Sequence, residues 1–267
     1  MTSRRLTKDL IADTSMRTLC VRVSADSLSA LVAGPVGPDF AVMSCIEPLA
    51  AHSLKSLEDA IYDNSLLLGD FSRSTVVIAT SQMVQIPDGI PAPMAEKIAE
   101  SLLPDCDAPR SFISAPMPQG QVIAAVDSET LNFLKRTFPD AVFSISLSVI
   151  AGVVSSIRSD EARMYAFCYP DELVVLAFDA DGLLVFANRF DAFSPADCAY
   201  YILAAAGTDP LPVSLGGDPD LRNGVMDCLK QAVPDIELAP LILPDAFVAV
   251  RRQSPEISDD LIFLACQ

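Results

Sequence analysis

An internally duplicated, two-lobed α/β fold is what this sequence predicts, on three observations. The order strand, strand, strand, helix, strand occurs twice along the chain. Two of the hairpins overlay without a gap at one offset, 145, the difference between Asp171 and Asp26. Of the 267 residues, 51% are hydrophobic, enough for a substantial core and too many for a disordered chain.

Residues 1–17 are polar and read as a lead-in. Leu19–Val23 and Leu28–Ala33 are expected strands about a turn at Ser24–Ser27. The stretch Gly34–Pro38 breaks the chain, and Phe40–Ile46 is the third strand. Ser53 is placed to cap a helix, because Leu54, Leu57, Ile61 and Leu68 then share one face. Thr75–Thr80 is rich in β-branched residues and suits a buried parallel strand.

The second copy repeats this order. Tyr165–Tyr169 and Leu173–Phe178 are strands about a turn at 170–172, and Asp181-Gly182 is a tight-turn dipeptide leading into Leu183–Arg189. Ser194-Pro195-Ala196-Asp197 opens a helix with a cap, a proline at the first position and an acid in the first turn. Leu211–Leu215 is the fourth strand. At the offset of 145, Val21–Ala33 overlays Ala166–Phe178, with Asp26/Asp171, Leu28/Leu173 and Leu31/Leu176 identical. Three antiparallel strands followed by a crossover helix to a parallel strand form the ribonuclease-H-like unit. Two such units facing each other make the actin-like ATPase fold, with mixed five-stranded sheets. The alternative is a single mixed sheet whose hairpins are alike by chance.

Between the copies lies an insertion. Pro91-Ala92-Pro93 precedes a helix with Ala95, Ile98 and Leu102 on one face. Strands follow at Ser111–Ala115 and Gln121–Val126, then a helix capped by Asp127 and bearing Leu131, Leu134 and Phe138, then a strand at Ala141–Ile145. The expected division is a lead-in (1–17), a first ribonuclease-H-like lobe (18–87), an inserted α+β subdomain (88–146) and a second lobe (147–267) that opens on the apolar helix Leu147–Ile157. The last segment, Ser254–Gln267, suits a helix or a strand equally.

Charge narrows the partners. With 35 acids against 18 Lys and Arg, the net charge is −17. Such a chain repels phosphate backbones and anionic membranes, so nucleic acid and direct membrane insertion are poor expectations. Apolar stretches such as Leu173–Phe178 and Tyr200–Ala206 fall well short of the roughly 20 residues a spanning helix needs. No apolar core of a secretory signal follows Arg4, Arg5 and Lys8, so a cytoplasmic location is expected. The seven cysteines are scattered, with no C-x-x-C, and read as reduced core thiols.

Two segments, Leu19-Cys-Val-Arg-Val-Ser-Ala-Asp-Ser-Leu-Ser and Val213-Ser-Leu-Gly-Gly-Asp, carry a resemblance. Over roughly residues 18–250 the chain resembles an uncharacterised domain-of-unknown-function family of Bacteroidetes grouped with the actin-like ATPases. The placement of the insertion is similar to that in the pilus-assembly and secretion scaffolds of the superfamily. The resemblance implies a nucleotide site between the lobes. There a hairpin of each lobe offers backbone N–H groups to phosphate, and a nearby Asp positions Mg²⁺ and water. The superfamily pattern would place Asp then Gly near Arg22 and Ser24, and again near Cys168 and Pro170; neither hairpin has the acid there. Pro170 also has no N–H to donate.

The candidate nucleotide-binding residues are therefore Gly216, Gly217, Asp26 and Asp171. The glycine pair follows an apolar strand and opens a helix running to about Ala232, which would let a ligand approach the backbone at a helix N-terminus. Against it, Asp218 reads as the N-cap and would repel phosphate. The equivalent point of the first copy is Thr80-Ser81, at an offset of 136 (216 − 80). Asp26 and Asp171 are displaced from the acids' places, and turn-stabilising Asp is the commoner role.

Other candidates are weaker. His52 has no second histidine with which to build a metal site. Asp179-Ala180-Asp181-Gly182 echoes a calcium loop but has Phe190 where the twelfth-position acid belongs. Ser155 and Ser194 lack a G-x-S-x-G context. Asp171 and Glu172 are neighbours on a strand and point to opposite faces. Asp259-Asp260 reads as solvated surface.

No catalytic residue, metal ligand or cofactor is assigned. The expected role is a non-catalytic actin-like scaffold or protein-interaction module with a protein partner or a second copy of itself. The alternatives are a divergent ATPase or kinase-like nucleotide binder, with ATP and Mg²⁺ in the inter-lobe cleft, and a cleft that takes another small molecule.

Overall fold

The computed structural model describes residues 6, 13–34, 42–50, 53–104, 109–158, 160–170, 172–207 and 211–267. Asp171, His52 and Cys106 lie outside the described residues.

The first sheet is built from β1 (Thr18–Val23), β2 (Ser27–Ala33), β3 (Val42–Pro48) and β4 (Arg73–Ile78). β1 pairs antiparallel with β2, β2 with β3, and β1 parallel with β4. Helix α1 (Leu54–Asp63) makes the crossover, and Ser53 caps it by accepting a hydrogen bond from the Ser56 N–H at 3.2 Å. A short 3-10 turn, Ser65–Leu68, continues it and buries Leu66 and Leu67.

The second sheet repeats the plan with β9 (Arg163–Cys168), β10 (Glu172–Phe178), β11 (Leu184–Asp191) and β12 (Val213–Gly217). Its spatial order is β11-β10-β9-β12, against β3-β2-β1-β4 in the first. Helix α5 (Pro195–Ala206) makes the crossover. It is capped by Ser194, which accepts from the Asp197 N–H at 3.1 Å. Helix α6 (Pro219–Ala232) follows β12, with Asp218 as its cap. The duplicated framework is present, and both hairpin turns keep the same register. Ser24 N–H donates to Ser27 O, and Tyr169 N–H donates to Glu172 O, 145 residues on (169 − 24, 172 − 27).

The fifth strands depart from expectation. The segment expected as a strand of the insertion, Ala141–Ile145, instead supplies β8 (Val142–Ile145), which pairs parallel with β4 and completes the first sheet. The second sheet has four strands and a single parallel bridge, Val213 to Leu238, in the fifth position. Pro234 and Pro240 bracket that bridge and keep the segment from extending along the sheet edge.

The insertion's own sheet is β5-β7-β6, from β5 (Met83–Ile86), β6 (Arg110–Met117) and β7 (Gly120–Asp127), with α2 (Ala92–Leu102) and α3 (Ser128–Thr137). Asp127 caps α3, accepting from Thr130 N–H at 2.8 Å. β5 falls within the span expected for the first lobe (18–87), yet its strand pairing is with β7 of the inserted sheet. The insertion touches the second lobe at β11. Gln119 Oε1 accepts from Leu184 N–H at 3.0 Å, and the Gln85 side-chain amide donates to Ala187 O.

Three helices complete the molecule: α4 (Ser146–Ile157), α7 (Asp245–Gln253) and α8 (Asp259–Ala265). All seven residues of α8 are buried, so Ser254–Gln267 resolves to a helix over half of its length, Asp259–Ala265. Helix α8 packs on β1, β2 and α4, while its Phe263 meets Phe167 of β9 edge-on, with ring centroids 6.0 Å apart. It is thus wedged between the two sheets, inside a core that draws residues from both lobes. Fully burying Leu261, Ile262 and Phe263 contributes about 1.5–3 kcal/mol each. Among the described residues, no helix is long and apolar enough to cross a membrane.

Candidate functional site

Where the resemblance would place a nucleotide site, the end of β1 meets the start of β10 across the lobe junction, through Arg22 and Glu172. Arg22, at the position where the pattern called for an acid, is 5% exposed. Its guanidinium donates to Glu172 of β10 through Nη2 and to Asp260 Oδ2 of α8 through Nε, the latter at 3.1 Å. Glu172 is also held by Arg189 Nε of β11 at 2.5 Å, and Arg189 reaches Asp191 Oδ1 at 2.8 Å. Glu172 is 1% exposed and Asp260 0%. Two buried guanidiniums are thus balanced by two buried carboxylates, the arrangement that desolvated charges require.

A second set of bonds lies beside the first. Tyr169, in the turn after β9, donates its hydroxyl to Asp259 Oδ2 at 2.9 Å and accepts from the Asp259 N–H at 3.0 Å. Arg251 of α7 pairs with the same carboxylate. Burial, with Asp259 and Asp260 alongside, pushes the Tyr169 phenol well above its usual range, so it is a proton donor throughout the physiological range. The expectation that Asp259-Asp260 is solvated surface is therefore corrected: both acids are buried and bonded, Asp260 to Arg22 of the first lobe and Asp259 to Tyr169 and Arg251 of its own. The helix they begin is apolar on every face and is buried whole, which carries its first turn inside.

The candidate residues fall as follows. Asp26 is exposed at the tip of the β1–β2 turn, where its carboxylate accepts from Ser24 Oγ at 2.8 Å. Gly216 and Gly217 are buried, and their free space is taken by the protein itself. A Cβ on Gly216 would stand 2.5 Å from the Phe167 ring. Gly217 has φ +90°, and a Cβ there would overlap the Cys168 carbonyl oxygen. Asp218 caps α6, accepting from Leu221 N–H at 2.9 Å. The strand registers also correct the equivalence of the two copies. Val23 aligns with Ile78, and Cys168 aligns with Gly217. The glycine pair therefore matches Val77-Ile78 at an offset of 139 (217 − 78), not Thr80-Ser81. So the structure brings Gly216 and Gly217 to the end of β12 beside Cys168, and leaves Asp26 in solvent on the other lobe.

Cys168 occupies the second acid's place in the pattern. Its thiol is pushed up, first by a hydrogen bond with the Cys198 thiol and then by burial, so it is neutral and offers Mg²⁺ no charge. Two cavities lie elsewhere. One of about 410 Å³ is lined by Met164, Ala177, Val185, Phe186 and Ala206, at the opposite end of the second sheet; another of about 350 Å³ opens between α1 and α3.

The residues missed from sequence are Arg22, Tyr169, Glu172, Arg189 and the Asp259-Asp260 pair. One signal was present. Arg22 interrupts an apolar strand, Leu19–Val23, and an arginine so placed needs a buried acid. Its partners, 150 and 238 residues away, left no local mark.

A match to the DUF3822 family, described as proteins of unknown function, spans residues 8–208. The chain belongs to this family. A search of the curated proteins gives no match. Among solved structures, it is similar to a Bacteroides thetaiotaomicron protein described as having an actin-like ATPase fold and unknown function. The two share 18% identity over 95% of this chain and 97% of that one, with a TM-score of 0.76. It is also similar to the PilM–PilN type IV pilus biogenesis complex at 12% identity, covering 96% of this chain and 100% of that one, with a TM-score of 0.52. This DUF3822 member has the actin-like ATPase fold.

Proposed function

We propose that this DUF3822 protein is a nucleotide-independent scaffold of the cytoplasm, an actin-like body whose lobes are held together by its own side chains. The observation that carries this reading is the buried network Arg22–Glu172–Arg189 with Asp260 at the lobe junction. In an actin-like ATPase the junction would take phosphate and a cation. Here a guanidinium and two carboxylates from three separate elements fill those charges' places and bond one another. A nucleotide entering there would have to break a buried ion pair, at a cost of about 3–5 kcal/mol, before making any contact of its own. The structurally similar PilM–PilN assembly is a complex, and that likeness is compatible with a role in protein association.

Calorimetric titration with Mg·ATP and Mg·ADP, together with a phosphate-release assay, tests the reading. The expected result is no binding heat at millimolar nucleotide and no phosphate release above the buffer rate. Saturable binding, or turnover that Asp26→Ala abolishes, would overturn it in favour of a divergent nucleotide-binding enzyme.

A further inference from the structure

Helix α5 presents a second surface whose composition its surroundings do not explain. Phe193, at the residue before the cap, and Ala196, Tyr200, Ala204 and Gly207 fall within about 80° of helical arc at 100° per residue. Phe193 is 77% exposed and Tyr200 67%. The opposite face, with Cys198, Ala199 and Ile202, is buried on the second sheet. The helix is therefore apolar all round, and its single charged residue, Asp197, is engaged at the cap with Ser194 Oγ at 2.8 Å. A helix of that kind is normally covered on every side. Its aromatics are also ordered: Tyr201 stacks on Phe190 with ring centroids 4.4 Å apart, and Tyr200 sits edge-on to Tyr201 at 5.3 Å.

The charge of the lobe's helix layer selects the occupant. In the helix layer of the second lobe, over the described residues 191–207 and 211–237, seven acids face two bases, Arg222 and Lys230. The whole chain carries −17. A second copy would bring the same excess of negative charge to the contact, while a cationic partner is drawn to it.

We propose that the outward arc of α5 is a docking surface for a cationic amphipathic helix of another protein, its apolar side on Phe193 and Tyr200 and its basic flanks toward the acidic side chains of the lobe's helix layer. This rests on the scaffold reading above and names the kind of partner. The contact would be helix against helix, with aromatic side chains that become buried on binding carrying most of the affinity.

The test uses the full chain and a fluorescent amphipathic Leu/Lys peptide about five turns long, with a Leu/Glu peptide of the same pattern as control. Fluorescence anisotropy is expected to show saturable binding of the Leu/Lys peptide only. Affinity should weaken tenfold or more in Tyr200→Glu and Phe193→Ser. Both side chains are exposed, so the melting temperatures of these variants should match the parent. Equal binding by parent and variants, or by both peptides, would overturn the proposal. So would a dimer in sedimentation that Tyr200→Glu dissolves, because the second copy would then be the occupant. Repeating the titration with Mg·ATP separates the two claims. Nucleotide binding would defeat the scaffold reading, while the peptide result tests the α5 surface on its own.

Discussion

In the first lobe the turn from Ser24 to Ser27 is closed by its own side chains: Ser24 Oγ bonds Asp26, and Ser27 N–H returns to Ser24 Oγ at 3.1 Å. In the second lobe the equivalent turn, Tyr169 to Glu172, sends both terminal side chains outward. Tyr169 goes to α8, and Glu172 goes to Arg22 of the first lobe. The backbones keep one register while the chemistry diverges. A duplicated fold can thus preserve a hairpin for its place in the sheet and refit its tip for another purpose. Here one tip is a local turn, and the other is half of a bond between lobes.

The largest expected effect separates the two roles. Arg22→Ala leaves Glu172 and Asp260 buried without their guanidinium and should cost about 3–5 kcal/mol. Ser24→Ala, in the self-contained hairpin, should cost only about 0.5–1.5 kcal/mol. Urea denaturation of both variants measures this; near-equal losses would mean that the inter-lobe bond does not hold the lobes.

Next is the asymmetry at the fourth strands, where Gly217 answers to Ile78. Gly217→Ala forces a side chain into left-handed backbone and into the Cys168 carbonyl. It should cost roughly 2–4 kcal/mol. Gly89→Ala has a similar φ, +84°, but open space around it, and should cost about 1 kcal/mol. If the two losses are alike, the glycine serves conformation alone and not its fit against β9.

A smaller effect belongs to the second hairpin's phenol. Tyr169→Phe removes its bonds to Asp259 but leaves Arg251 in place, and should cost about 1–2 kcal/mol. Its pH signature follows from the raised phenol. The folded protein keeps that proton longer than the unfolded chain does. The contribution is therefore complete below the unfolded value of about 10, and it is lost as pH rises toward the higher folded value. Denaturation midpoints measured from pH 8 to 11 should fall more steeply for the parent than for Tyr169→Phe.

Most of this framework was legible in sequence because it rests on local signals. Ser53, Asp127 and Ser194 announce their helices through caps, and the strands announce themselves through runs such as Leu173–Phe178. What was not legible depends on distance along the chain. Val142–Ile145 reads as a strand anywhere, and only its pairing with β4 assigns it to the first sheet. The bridge at Leu238 has no strand pattern to detect. Asp259-Asp260 looks like a solvated tip because acids usually are. Its burial follows from Arg22, which no spacing rule connects to it. For the glycines, Gly216 and Gly217 suggest close approach, and there is one; the approaching groups are Phe167 and Cys168 of the same lobe.

The smallest expected effect bears most directly on function. Asp26 is exposed, and its carboxylate's described bond is to Ser24 in its own turn. If the first hairpin is only a turn, Asp26→Ala should change stability by no more than about 1 kcal/mol and leave the calorimetric response to Mg·ATP as flat as the parent's. Arg22→Ala sharpens this. Removing the guanidinium leaves two buried carboxylates at the junction, the donor set a cation site would use. Yet Glu172 remains bound to Arg189 and Asp260 to Ser258 Oγ at 2.5 Å, and neither is free to turn toward a metal. Mg²⁺ should therefore fail to restore the stability that Arg22→Ala removes. Restoration at millimolar Mg²⁺ would mean that the junction still holds the outline of a cation site, and that the two hairpins differ less than their side chains suggest.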